Sequence, residues 1–148
     1  MKRSITITFV AITANLILAA ILMSNVFGGV GNLAAMFTKM PLNLIVGIIA
    51  LYTTGYFQAK KMHRLINTQH RNHIATGIFG AFIILFIGIL LGSTVGFIKE
   101  GIGFAVSSGR VTEALFDYYV KPIYWILLAG ALPTFIMGAI MGYYIKER

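Results

Sequence analysis

Three histidines, His63, His70 and His73, lie in one polar stretch of the chain and are the residues best suited to metal or proton chemistry. Wound as a helix turning about 100° per residue, they project within about 80° of one another. Histidine ligates metals and titrates near neutral pH. Their surroundings oppose a metal, because Lys60, Lys61, Arg64 and Arg71 run through the same stretch and no carboxylate accompanies them. The expected state is a solvated, interfacial loop that holds no metal and no cofactor. The carboxylates Glu100, Glu113 and Asp117 belong to a distant segment. On the topology derived below they face the opposite side from the histidines, so no set of nucleophile, acid and base can assemble, and no enzyme is expected. The chain has no cysteine, which removes disulfides, thiolate ligands and thiol nucleophiles.

The elements that must position these residues are apolar. Hydrophobic residues make up 58% of the 148 and charged residues 11%, against about 25% charged in a soluble domain. That excludes a soluble enzyme and a disordered tail. Crossing about 30 Å of hydrocarbon takes roughly 20 mainly apolar residues in a helix, and four runs qualify: about 5–27, 41–58, 74–98 and 123–145. Lipid offers no partner to backbone polar groups, so the runs are read as helices. The first exceeds the roughly 7–15 apolar residues of a secretory signal and is read as a retained span. Gly28, Gly29 and Gly31 mark its end, and Pro41 and Pro122 suit the first turns of the second and fourth spans. Tyr118, Tyr119, Tyr124 and Trp125 at one level, with Tyr143 and Tyr144 at the other, suit interfacial belts. The third connection divides into a flexible half, with Gly101, Gly103, Ser107, Ser108 and Gly109, and a short amphipathic helix, Val111 to Val120. This helix is read as resting on the outer leaflet as an interfacial helix or capping the bundle, in either case a docking surface for a partner protein. The expected fold is a single all-α integral membrane domain over 1–148, with four transmembrane helices and that interfacial helix.

The formal net charge of +8 resolves along this topology. Lys2, Arg3, Lys60, Lys61, Arg64, Arg71, Lys146 and Arg148 fall on one side. Lys39, Lys99, Arg110 and Lys121 fall on the other, largely offset by Glu100, Glu113 and Asp117. The positive-inside rule places both termini and the middle loop in the cytoplasm, with a bacterial inner membrane the expected location. Basic residues beside a negative leaflet gain on the order of 1 kcal/mol each, so Lys60, Lys61, Arg64 and Arg71 are candidate contacts to anionic lipid. No stacking aromatics interleave them, which argues against nucleic acid.

None of the spans contains Asp, Glu, Lys, Arg or His, although proton-coupled carriers typically need an ionisable group at membrane depth. Asn15 is the most deeply placed strongly polar residue and is expected to hydrogen-bond across a helix interface. Gly88, Gly92 and Gly96, with Gly77 and Ala81 in the same four-residue rhythm, form a small-residue seam on the third span. Gly138 and Gly142 form a shorter one on the fourth. Such seams let helices approach closely in lipid, joining these two spans as a hairpin or meeting a second copy. Pro133 should kink the fourth span by removing the hydrogen bond to Ala129. The function expected is that of a non-enzymatic accessory or assembly subunit. Its partners are membrane lipids and either a second copy or another membrane protein. One alternative is an oligomeric channel or passive transporter lined by Asn15, Asn25 and the third-span glycines. Another is a lipid-headgroup binder or enzyme using the histidine loop.

Overall fold

The computed structural model describes residues 1–26, 28, 29, 31, 35, 38 and 41–146, and these are almost entirely helical. Helix α1 spans Lys2–Val26 and α2 spans Pro41–His63. Then come α3 (His73–Gly96), α4 (Ile102–Ser108), α5 (Val111–Leu115) and α6 (Lys121–Ile145). Wide π turns fill Arg64–Thr68, Phe97–Gly101 and Phe116–Val120. They join neighbouring helices or extend them, so four continuous helices are long and apolar enough to cross a membrane. Phe27, Lys39 and Arg148, used above as a boundary and as charges, lie outside the described residues.

The four helices run alternately up and down as a square. α1 packs on α2 and α6, and α3 packs on the same two from the other side. The apolar core collects Ala11, Met62, Ile66, Met141 and Ile145, with Ile7, Ala81 and Met137 around it. Met62 and Ile66 lie in the stretch expected to be a solvated loop. The correction has a simple cause: Met62, Leu65 and Ile66 continue an apolar stripe at helical spacing past the charges. Helix therefore persists to Thr68, well beyond residue 58. The chain reverses only at Gln69–Asn72. There His70 takes a positive φ of 52°, and the Asn72 side chain caps α3 by accepting from the Ile74 and Ala75 N–H groups at 3.0 and 3.2 Å.

The third connection also differs from expectation. Its glycines do not form a flexible strand of chain, and Val111–Val120 does not lie across the bundle as a separate interfacial helix. Instead the chain forms two long helices, His73–Ser108 and Val111–Ile145, which turn at Gly109 with φ 67°. Gly101 is packed between Phe97 and Tyr118, which explains why a glycine there holds the helix rather than ending it. Pro122 stands in the first turn of α6, as its sequence position suggests, although α6 continues the preceding turn without a break. The π turn Phe116–Val120, closed by Lys121 N–H donating to the Phe116 carbonyl, widens the backbone just before it.

At 1.5 Å per residue the 36-residue and 35-residue helices reach about 54 and 52 Å. α1, with 25 residues, reaches about 37 Å. The four helices are flush at the end containing Ser4, His63, Asn67 and Ile145, which are hydrogen-bonded together. All the extra length therefore projects at the opposite end, as a helical hairpin.

Candidate functional site

Close approach between helices depends on glycine at two separate places. A Cβ on Gly77 would stand 2.6 Å from Gly142 Cα, and one on Gly138 would stand 2.8 Å from Ile78 Cα and 3.0 Å from the Ala81 side chain. These residues join α3 to α6. Further along, a Cβ on Gly88 would stand 2.5 Å from Leu51, and one on Gly92 would stand 3.3 Å from the Asn43 carbonyl and 3.6 Å from Gly47 Cα. Gly96 meets the Asn43 side chain and Tyr118. The seam on α3 is thus shared, with α6 covering one half and α2 the other. Sequence reasoning missed α2's share, although Gly47, Leu51, Gly55 and Ala59 repeat every four residues.

Asn15 donates its amide to the Thr134 hydroxyl at 3.0 Å, bridging α1 and α6 beside the buried Pro133. Its carbonyl oxygen is buried with no hydrogen-bond partner among the described residues. Asn25 donates to the Ile21 carbonyl of its own helix. Thr13 and the Tyr52 hydroxyl, 2.7 Å apart, link α1 to α2.

At the flush end the three histidines separate, because the turn at Gln69–Asn72 breaks the helix on which they would have shared a face. His63 is part-buried, with Ser4 Oγ and Asn67 Nδ2 each 3.1 Å from its Nδ1. Asn67 also donates to the Ile145 carbonyl at 3.2 Å. His70 is exposed in the turn. His73 starts α3 with its ring 6.3 Å from that of Tyr143. Among the described residues no group of three His, Cys, Asp or Glu side chains is placed to hold a metal.

The four basic residues of this region also divide. Lys60 folds its ammonium over the Tyr56 ring, 4.1 Å from the centroid, a cation–π contact. Arg64 is exposed. Lys61 and Arg71 line a groove of about 360 Å³ between α2 and α3, walled by Leu65, Phe79 and Ile83. A second groove of about 270 Å³ lies between Arg3, His73, Tyr143, Tyr144 and Lys146.

The projecting end is built differently. Between its two helices lie Gly101, Ala105 and Ala114, all buried. Its large apolar side chains point outward: Val106 is 79% exposed, and Phe104, Val111, Leu115 and Phe116 are exposed as well. Opposite charges pair locally, Arg110 with Glu113 at 3.4 Å and Lys121 with Asp117 at 2.5 Å. Exposed pairs of this kind contribute about 0–1 kcal/mol. The Tyr118 hydroxyl donates to Glu100 at 3.4 Å and that of Tyr119 to Thr94 at 3.1 Å. Partial burial, followed by the charge of Glu100, raises the Tyr118 phenol above its ordinary pKa. Comparison with protein families, with curated proteins and with solved structures returns no match for this chain.

Proposed function

We propose that this chain is a membrane-embedded, non-enzymatic accessory or assembly subunit, and that its projecting hairpin is the surface that engages a protein partner or a second copy. The observation that carries this reading is the composition of the tip. Two helices of 36 and 35 residues exceed the roughly 40–45 Å of a bilayer with its headgroups. Lys99, Glu100, Arg110, Glu113, Asp117 and Lys121 cannot lie cheaply in hydrocarbon, so they set the tip outside it. Yet Phe104, Val106, Val111, Leu115 and Phe116 are exposed on that tip. Val111 and Leu115, four residues apart, share one helix face, and an apolar patch exposed to a polar medium marks an interaction site.

The opposite, basic end faces the cytoplasm in this reading, through the positive-inside rule, and the membrane is a bacterial inner membrane. Purification in a mild detergent followed by particle-mass measurement tests the proposal. A complex heavier than one 16.2 kDa chain is expected, and the double variant Leu115→Ser/Phe116→Ser should release it. A lone wild-type chain under gentle extraction would overturn the proposal.

A second reading, an oligomeric conducting path, is favoured by the unpartnered Asn15 carbonyl oxygen in the bundle interior. Of the other residues read as lining it, Asn25 donates within its own helix, and Gly88, Gly92 and Gly96 face α2. Flux through liposomes that is abolished by Asn15→Leu would restore it.

A further inference from the structure

We propose that the groove between α2 and α3 binds one anionic diacyl phospholipid, with its headgroup on Lys61 and Arg71 and an acyl chain along Phe79 and Ile83. This rests on the embedding of the bundle proposed above and not on what the tip engages.

The groove begins at Arg71, in the turn between the two helices, and runs inward along α3 to Ile83. Along that path the backbone turn comes first, and Gln58 adds one uncharged polar group near the inner end. Arg71 and Asn72 stand at the bundle end, while Phe79 and Ile83 lie two and three turns into α3. Lys61 lies near the level of Gly80, since a Cβ on Gly80 would meet the side chain of the neighbouring Met62. Its long apolar stem lets the ammonium reach back toward the headgroup layer. Among the described residues no acidic one lines the groove, and the two cations there complement an anion. A water-soluble anion would use only the outer part. Phe79 is 71% exposed, and with Ile83 it continues the same trough at hydrocarbon depth, where an acyl chain fits. Basic grooves between helices on the cytoplasmic side of membrane proteins are a known way of holding anionic headgroups.

The groove also separates two kinds of basic residue that the sequence leaves equivalent. Lys60, committed to Tyr56, and Arg64 lie outside it, whereas Lys61 and Arg71 line it. Two double variants with the same change in net charge therefore make the test. Wild type, Lys61→Gln/Arg71→Gln and Lys60→Gln/Arg64→Gln are purified in a mild detergent and mixed with phosphatidylglycerol or phosphatidylcholine. Retained lipid is counted by native mass spectrometry.

Wild type should prefer phosphatidylglycerol. Removing Lys61 and Arg71 should cost about 30-fold in that preference, from a basic residue's usual gain near an anionic surface. Removing Lys60 and Arg64 should change it by less than about threefold, on the same scale. Ala75→Phe keeps every charge but fills the groove, and it should lose the bound lipid as well. Equal retention of both lipids by wild type, or equal loss in the two double variants, would overturn the proposal. Alkaline carbonate washing of the source membranes tests the embedding separately. A chain released by the wash overturns the embedding, whereas a chain kept in the pellet that binds both lipids alike overturns only the groove.

Discussion

The two ends of the bundle solve opposite problems with the same helices. At the flush end Lys2, Arg3, Lys60, Lys61, Arg64, Arg71 and Lys146 gather with no acidic residue among the described ones. Large side chains there, Met62 and Met141, are fully buried. Ser4, His63, Asn67 and the Ile145 carbonyl tie α1, α2 and α6 together. At the projecting end Lys99, Arg110 and Lys121 are balanced by Glu100, Glu113 and Asp117. Small residues are inside and large apolar ones are outside. One end thus has a packed interior and a basic surface, which suits contact with an anionic surface. The other is neutral, leaves its apolar groups unburied, and is suited to a protein.

The largest effects should come from setting the glycines of the two ends against each other. A Cβ on Gly142 would run into the His73 carbonyl and stand 3.1 Å from Gly77 Cα, so neither neighbour can yield without moving a helix. Gly142→Ala should cost about 3 kcal/mol or more, at or above the upper range for overpacked sites, and should lower the melting temperature in detergent sharply. At the hairpin turn, Gly109 has φ 67° and open space around it. Gly109→Ala should therefore cost about 1–2 kcal/mol from backbone strain alone. Gly103 also faces open space but in ordinary helix. Gly103→Ala should stabilise by about 0.5–1 kcal/mol, the helix-propensity gain. If Gly142→Ala and Gly103→Ala melted alike, the contrast between a packed end and an open one would fail.

The smallest effect concerns Tyr118. Its folded pKa lies above the ordinary 10.0, through burial and then the Glu100 charge. The raised value means that the neutral phenol is favoured in the folded chain. The associated stability is present below the ordinary pKa and is lost as pH rises through the folded one. The part of the alkaline absorbance change that disappears in Tyr118→Phe should have its midpoint above 10. A midpoint at or below the ordinary value would remove Glu100 from the phenol's surroundings.

Much of the architecture is legible in the residues. The four apolar runs stand out because a helix in lipid needs unbroken length, and the basic residues sort by connection. Asn15 stands out as the one strongly polar side chain deep in a span, and the structure sets it against Thr134. Three things were hidden, each for a physical reason. Face-sharing along α3 does not say which neighbour covers which half, so Gly88 and Gly92 carry no sign of Gly47. Glycine reads as a helix breaker in water, yet Gly101 between Phe97 and Tyr118 serves close packing. Charge reads as solvated loop, yet Lys60 and Lys61 ride on a helix whose other side buries Ala59 and Met62. The histidines illustrate the complementary point. Their shared face presumed a continuous helix, and the left-handed His70 ends it.

The natural absence of cysteine makes the decisive measurement clean. Val106→Cys places a single thiol at the most exposed apolar position of the tip, where a thiol-anchored photo-crosslinker can be activated in native membranes. The expected result is a covalent adduct with a protein partner or a second copy, lost when Leu115→Ser/Phe116→Ser is added. Recovery of the uncrosslinked chain alone, or adducts only with lipid, would contradict the assignment of the projecting hairpin as the docking surface.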